Sequence, residues 1–116
     1  MKMLHVTIQT RFFEEEVRFY EQIVGLTVQR DMRPMGRNMV FLADAPGDTC
    51  VELIEAPEGA DAGNAWLSVG FKTDDVVKKR EELLALGYEA TPMREPAPGT
   101  RFFFVKDPAG VNVQFM

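Results

Sequence analysis

Residues 3–9 read Met-Leu-His-Val-Thr-Ile-Gln and contain the only histidine of the chain, His5. Apolar residues alternate here with His5, Thr7 and Gln9, which is the period-two pattern of a strand with one face on a core. The alternation predicts that His5 points away from the apolar face. The same pattern returns in residues 66–72, Trp-Leu-Ser-Val-Gly-Phe-Lys. We therefore expect the two stretches to be the first strands of two copies of one structural unit.

Composition narrows the classes of protein and partner. With 116 residues, 46% of them hydrophobic, we expect a single globular domain with a substantial core. No apolar run approaches the roughly 20 residues of a membrane-spanning helix, and no signal-peptide pattern is expected, so we predict no membrane partner. The net charge of −5 and the scattered basic residues argue against a nucleic-acid partner. A lone cysteine, Cys50, favours a cytoplasmic location and is expected to be a small buried hydrophobe.

The order of the predicted elements is β-α-β-β-β, and it occurs twice. Glycines, prolines and helical spacing of apolar residues mark the element ends. In the first unit they predict a helix from residue 13 that ends at Gly25, then strands over residues 26–31, 39–43 and 49–54. In the second unit they predict a helix from about residue 76 to Gly87, with Asp74 or Asp75 as N-cap. The predicted strands that follow cover residues 88–91, 101–105 and 111–116, and a loop is predicted over residues 95–99. The resulting boundaries are module one 1–55, linker 56–64 and module two 65–116 of a single domain.

The repeat brings polar residues of both halves into matching places. The first and last strands of each unit carry a polar residue that faces away from the helix-covered side, and the pairs are His5 with Ser68 and Glu52 with Gln114. If the units pack as equivalent curved sheets, these side chains converge on one concave surface. An apolar-walled hollow with a few polar groups is the usual form of a small-molecule site. The predicted wall residues are Met3, Cys50, Ile54, Trp66 and Met116.

Two interpretations of the polar cluster stay open. A histidine, a glutamate and a glutamine supply donors for a divalent metal such as Mn, Fe, Ni, Co or Zn. In the alternative, His5 is a hydrogen-bonded structural residue and Glu52 pairs with an arginine. The spacing of these residues does not distinguish the two interpretations.

The tandem pattern resembles the vicinal oxygen chelate superfamily, which includes glyoxalase I, extradiol dioxygenases and bleomycin-resistance binding proteins, and the likeness is greatest to the glyoxalase I-like branch. The resemblance spans nearly the whole chain. It implies an α+β fold in which two tandem β-α-β-β-β modules form a curved, mostly antiparallel sheet around a concave cavity. Its landmarks are residues 3–6 (Met-Leu-His-Val), 19–20 (Phe-Tyr) with 24–26 (Val-Gly-Leu), 51–53 (Val-Glu-Leu) and 104–110 (Phe-Val-Lys-Asp-Pro-Ala-Gly).

The same resemblance implies four metal-ligand positions, which here are His5, Ser68, Glu52 and Gln114. The family usually has histidine where this chain has Ser68, and glutamate where it has Gln114. A glutamine amide oxygen can bind a metal but cannot accept a proton at neutral pH, which leaves Glu52 as the base. The alternative that no metal binds stays open, because serine is a poor replacement for imidazole.

The predicted substrate contacts are Arg37, Trp66 and Arg101. Arginine binds carboxylates through two parallel hydrogen bonds, and Arg94 is a further candidate nearby. Gln9 stands near the position where many glutathione-using relatives carry an arginine, which argues against glutathione as cosubstrate. Phe102 and Phe104 share one strand face and Phe103 the other, so at least one set belongs to the core.

Two functions follow as expectations. In the first, the chain is a glyoxalase I-like lyase or isomerase in which a metal polarises vicinal oxygens of a small substrate and Glu52 moves a proton. In the second, it is a non-catalytic binding protein of the bleomycin-resistance type; a degenerate scaffold with a collapsed cavity is a third possibility. Relatives cover their sheet edges by dimerising, so the resemblance also implies a homodimer, with or without exchange of modules between chains.

Overall fold

The computed structural model describes residues 2–58 and 67–116. The chain forms two compact units, Met1–Gly63 and Asn64–Met116. The predicted wall and substrate-contact residue Trp66, and most of the predicted linker, lie outside the described residues. No helix within the described ranges is both long and apolar enough to cross a bilayer.

Unit 1 has the predicted β-α-β-β-β order. Its four-stranded sheet has the order β1-β4-β3-β2, in which β1 and β4 are parallel and the other pairs are antiparallel. The helix α1 continues as a π-helical segment, and a short 3-10 turn joins β2 to β3. The elements are β1 (His5–Thr10), α1 (Phe13–Phe19), the π-helical segment (Tyr20–Val24), β2 (Thr27–Asp31), the 3-10 turn (Arg33–Met35), β3 (Met39–Ala43) and β4 (Cys50–Glu55).

One face of this sheet forms the core of unit 1. Apolar side chains at alternate positions of β1, β3 and β4 are buried together with those of α1, which is how a sheet and an amphipathic helix hide their apolar faces. The opposite face of the sheet carries His5 and Glu52. The buried set is Ile8, Phe13, Val17, Tyr20, Val40, Leu42, Val51 and Leu53.

Unit 2 repeats this topology. Its sheet has the order β5-β8-β7-β6, again with the first pair parallel. The side chain of Asp75 accepts a hydrogen bond from the Lys78 backbone N–H and thereby caps α2, as predicted. The elements are β5 (Ser68–Phe71), α2 (Val76–Ala85), β6 (Arg94–Ala97), β7 (Thr100–Lys106) and β8 (Asn112–Phe115).

The aromatic strand β7 divides its side chains between two faces. Phe103 is fully buried and stacks on Phe115 with ring centroids 5.5 Å apart, whereas Phe102 and Phe104 are half-buried on the other face. The core set of phenylalanines is therefore the one that contains Phe103. The predicted α+β class with two mostly antiparallel β-α-β-β-β units is confirmed.

The second strand of unit 2 is not where the sequence predicted it. Residues 88–91 form only an isolated bridge, Ala90 to Val105, and β6 lies further along the chain in the predicted loop. The prediction was wrong here because Pro96 indicated a loop. Proline breaks most strands, but an edge strand tolerates it where the backbone N–H would point away from the sheet. β6 is such an edge strand.

The start of β1 also differs from the prediction. Met3 and Leu4 were expected to lie on the cavity wall and in the core, but they are 65% and 69% exposed. The parallel ladder begins at the pair His5 and Cys50, and Met3 and Leu4 contribute only their carbonyl oxygens, which accept hydrogen bonds from Thr49 Oγ1 and Cys50 N–H. Cys50, expected to be buried, is half-buried.

Candidate functional site

The register of unit 1 places His5 and Glu52 on one face of the sheet. In the parallel ladder, His5 pairs with Cys50 and Thr7 pairs with Glu52. Paired side chains and those two residues apart share a face, so His5, Thr7 and Glu52 all lie opposite α1. The structure therefore brings together the histidine and the glutamate that the sequence placed on a common face.

The two side chains are close neighbours. The distance from His5 Nε2 to Glu52 Oε1 is 3.8 Å, with the histidine side chain 40% exposed and the glutamate side chain 10% exposed. The His5 ring also meets the Phe41 ring edge to face, with centroids 5.8 Å apart. His5 is thus held between an aromatic ring and a carboxylate, and it keeps access to solvent.

Thr7 holds Glu52 in place. Its Oγ1 donates a 2.6 Å hydrogen bond to Glu52 Oε1. A carboxylate that is largely removed from water needs such a donor, because an unsatisfied buried charge is costly. The alternation along β1 predicted the face of Thr7 but not its contact with Glu52. The position of Thr7 two residues after His5 was the available signal.

A row of side chains crosses the sheet through Glu52. Phe41 is paired with Glu52, and Arg30 on the outer strand β2 is paired with Phe41. Two strand spacings put Arg30 about 10 Å from Glu52 at the backbone. Arg30 was not predicted from the sequence, because a register shift between Val28 and Arg30 changes which side chains of β2 share a row with Glu52.

The predicted ligand residues of unit 2 also share one face of their sheet. Ser68 is paired with Asn112, and Gly70 is paired with Gln114. A Cβ atom at Gly70 would lie only 3.2 Å from Gln114 Oε1, so the amide end of Gln114 lies over the bare glycine backbone. Ser68 is exposed and Gln114 is half-buried. Both offer neutral oxygen donors.

The predicted substrate arginines have different surroundings. Arg37 is exposed in the connection before β3, where its backbone N–H donates to Met32 O. Arg101 is exposed on β7 and shares a strand face with Phe103, the face opposite to Gln114. Arg94, on the edge strand β6, is paired with Phe102 and so lies on the Gln114 face.

The donor set of unit 1 fits half of a divalent-metal site. Imidazole nitrogen and carboxylate oxygen are ordinary ligands of Zn, Ni, Mn, Co and Fe, and a separation of 3.8 Å lets both reach one ion after a small movement. Across residues 2–58 and 67–116, no three histidine, cysteine, aspartate or glutamate side chains form a metal-binding group. Within unit 1, His5 and Glu52 therefore supply two ligand positions at most.

The shortest ion pair among the described residues of unit 1 lies at the end of β2. Arg33 donates to both carboxylate oxygens of Asp31, at 2.9 and 2.8 Å, and its backbone N–H donates to the same group at 3.0 Å. These bonds lower the pKa of Asp31 and raise the pKa of Arg33. Arg33 Nη1 also lies 3.7 Å from Glu14 Oε2 on α1. Arg33 thus links β2, the outer strand that carries Arg30, to α1.

Comparison with known proteins gives one family match and several relatives. Residues 2–115 match the model of the Glyoxalase/Bleomycin resistance protein/Dioxygenase superfamily. The lactoylglutathione lyase of Neisseria meningitidis serogroup A / serotype 4A (strain DSM 15465 / Z2491) is 29% identical over 126 residues, which span 100% of this chain and 90% of the relative.

Solved structures share the fold. The trypanothione-dependent glyoxalase I of Leishmania major superposes with a TM-score of 0.75 at 21% identity, covering 100% of this chain and 86% of that one. TnmS3, an antibiotic binding protein from Streptomyces sp. CB03234, superposes with a TM-score of 0.77 at 19% identity, covering 99% and 93%. One fold therefore carries an enzyme in one case and a binding protein in the other, and the fold alone does not decide the function.

Proposed function

Because the chain belongs to the Glyoxalase/Bleomycin resistance protein/Dioxygenase superfamily, we propose that it is a glyoxalase I-like lyase that acts on a small substrate with oxygens on adjacent carbons. The observation that carries the proposal is the 3.8 Å approach of His5 Nε2 to Glu52 Oε1 on the face opposite α1. The name of the lactoylglutathione lyase relative, 29% identical, supports the reaction class.

Glu52 is the proposed proton carrier. It lies on the same face as His5, and Thr7 Oγ1 fixes its Oε1 at 2.6 Å. A carboxylate in this position can take a proton from one carbon and return it to the next, provided that the substrate lies against the sheet. Gln114 cannot take this role, since an amide does not accept a proton near neutral pH.

His5 and Glu52 are the proposed holders of a divalent metal, one of Ni, Zn, Mn, Co or Fe, with Gln114 and Ser68 as further oxygen donors. When bound, such an ion stabilises the negative charge that develops on substrate oxygens during proton transfer. The edge of the Phe41 ring holds the imidazole of His5 in position. Arg37 and Trp66 are kept as proposed substrate contacts, whereas Arg101 lies on the strand face opposite to Gln114 and is left out of the proposal.

The test compares Glu52→Gln with Glu55→Gln. Both glutamates are on β4, but Glu55 is exposed and its Oε2 accepts a hydrogen bond from Asn38. Each variant is loaded with one metal at a time and mixed with methylglyoxal and a thiol, and the lactoyl thioester formed is measured. We expect kcat to fall roughly 100-fold or more in Glu52→Gln and to stay unchanged in Glu55→Gln.

Two results would contradict the proposal. One is wild-type kcat in Glu52→Gln. The other is a wild-type chain that shows no turnover and, in isothermal titration, binds none of the five metals at micromolar concentration. Running the assay with glutathione and with an uncharged thiol tests the expectation, drawn from Gln9, that glutathione is not required.

A second function, non-catalytic binding of a small molecule, is favoured by the neutral Ser68 and Gln114. Neutral donors weaken metal binding relative to imidazole and carboxylate. The antibiotic binding protein TnmS3 has the same fold. Under this alternative, His5 and Glu52 contact a ligand directly, and Glu52→Gln changes ligand affinity without any turnover to lose.

A further inference from the structure

A cavity of about 470 Å³ lies within unit 2. Its floor is the face of β7 and β8 that carries Phe104, Lys106 and Asn112, and its side is residues 87–91, the segment that follows α2. The proposed function uses none of these residues, although Gln114 lies on the same face of the sheet. The volume is within the range of small-molecule sites.

A positioned ammonium group lies in this cavity. Lys106 Nζ donates to Asn112 Oδ1 at 3.1 Å and to the backbone oxygen of Gly110 at 3.4 Å. An ammonium group has three N–H donors, so these two bonds orient the group and leave one N–H for a ligand. A carboxylate is the natural acceptor for that donor.

A carboxylate lies on the side of the cavity that residues 87–91 form. Glu89 lines the cavity and is exposed, and among the described residues it has no hydrogen-bond or ion-pair partner. Glu89 and Lys106 do not form an ion pair with each other. The cavity therefore presents both signs of charge to a ligand.

Aromatic surface completes the cavity. Phe104 and Tyr88 both line it and are half-buried. The Phe102 ring packs edge to face on Phe104, with centroids 5.8 Å apart, which fixes the orientation of the Phe104 ring. The apolar part of a ligand can rest against this ring.

We propose that the cavity binds a zwitterionic small molecule of the amino-acid type. The carboxylate of the ligand accepts a hydrogen bond from Lys106, its ammonium group meets Glu89, and its apolar side chain packs on Phe104. The inference needs neither a metal nor proton transfer by Glu52, so it holds or fails independently of the proposed function.

The test uses three probes with the same aromatic body and different charges: L-phenylalanine, 3-phenylpropionate and phenethylamine. Binding to the full chain in EDTA is followed by ¹H–¹⁵N spectra, with the Asn112 side-chain amide and the Lys106 backbone amide as reporters. We expect L-phenylalanine to bind about tenfold more tightly than either singly charged probe.

Charge variants then assign the contacts. Lys106→Gln should weaken L-phenylalanine and 3-phenylpropionate by about tenfold and leave phenethylamine unchanged. Glu89→Gln should weaken L-phenylalanine and phenethylamine. Lys78→Gln on the surface of α2 is the control and should change nothing, and the spectra show whether each variant is folded.

The outcomes separate the two proposals. L-phenylalanine affinity that is unchanged in Lys106→Gln, or equal to that of 3-phenylpropionate, would overturn the zwitterion site. Unchanged binding of L-phenylalanine in Glu52→Gln is expected here, whereas under the proposed function the same variant should lower kcat roughly 100-fold or more. Failure of one proposal therefore does not entail failure of the other.

Discussion

At the scale of single residues, the hydrogen bond from Thr7 to Glu52 decides how the candidate site is held. The bond is 2.6 Å long, and Glu52 is only 8% exposed. A valine at position 7 keeps the shape of threonine and removes its donor. The carboxylate then keeps its desolvation cost without its hydrogen bond.

We therefore predict that Thr7→Val lowers the free energy of unfolding by about 1–3 kcal/mol. Urea unfolding at neutral pH measures the change. Thr27→Val is the control, because Thr27 is an exposed strand threonine on β2. Equal midpoints for the two variants would show that the bond contributes nothing.

The ion pair of Asp31 and Arg33 makes the stability of the folded chain depend on pH. Hydrogen bonds from Arg33 lower the pKa of Asp31 in the folded chain. The stabilisation is therefore complete above the ordinary pKa of an aspartate in the unfolded chain, and it is lost as pH falls through the lower pKa of the folded chain. We expect Asp31→Asn to lower the thermal midpoint at neutral pH and to match the wild type in strong acid. A deficit of equal size at both pH values would contradict this origin.

At the scale of elements, the end of the first helix depends on one backbone conformation. Gly25 follows the π-helical segment with a φ of 85°, in the left-handed region that side chains disfavour. A Cβ atom at Gly25 would meet nothing within 4 Å, so the cost of a larger residue is conformational and not steric.

We predict that Gly25→Ala destabilises the chain by about 1–2 kcal/mol and that Gly25→Asn costs less, because asparagine tolerates this conformation better. Chemical denaturation of both variants makes the comparison. If Gly25→Ala were as stable as the wild type, the C-terminal end of the helix would have to adopt another conformation.

At the scale of the whole molecule, each unit has a sheet with two outer strands, β1 and β2 in unit 1 and β5 and β6 in unit 2. Outer strands expose backbone donors and acceptors that proteins usually cover. The family resemblance implies that a second copy of the chain covers some of them.

We therefore predict a homodimer at micromolar concentration. Sedimentation velocity should give a mass twice that of the chain over a range of loading concentrations. The Glu55→Gln variant, which changes an exposed side chain, serves as a control for the effect of surface charge. A single species with the mass of one chain at every concentration would contradict the prediction.

Much of the site followed from local patterns. Alternation along a strand is a property of neighbouring residues, so the sequence predicted which side chains share a face with His5. The positive φ at Gly25 and the cap at Asp75 are equally local, and both agree with the prediction. The family resemblance then added the prediction that Glu52 belongs to the same site as His5.

The sequence by itself determined the order of the elements, their repetition, and the alternation that puts His5 on the polar face of β1 and Glu52 opposite Val51 and Leu53 on β4, because each depends on residues close together in the chain. Only the tertiary structure decided that Thr7 lies beside Glu52 and that a register shift brings Arg30 into the same row. It also decided that β6, which contains Pro96, pairs with β7. Strand pairing joins residues that are far apart in sequence, and a shift of one residue reverses every side chain. That register is a property of packing and hydrogen bonding between strands, which no single stretch of sequence contains.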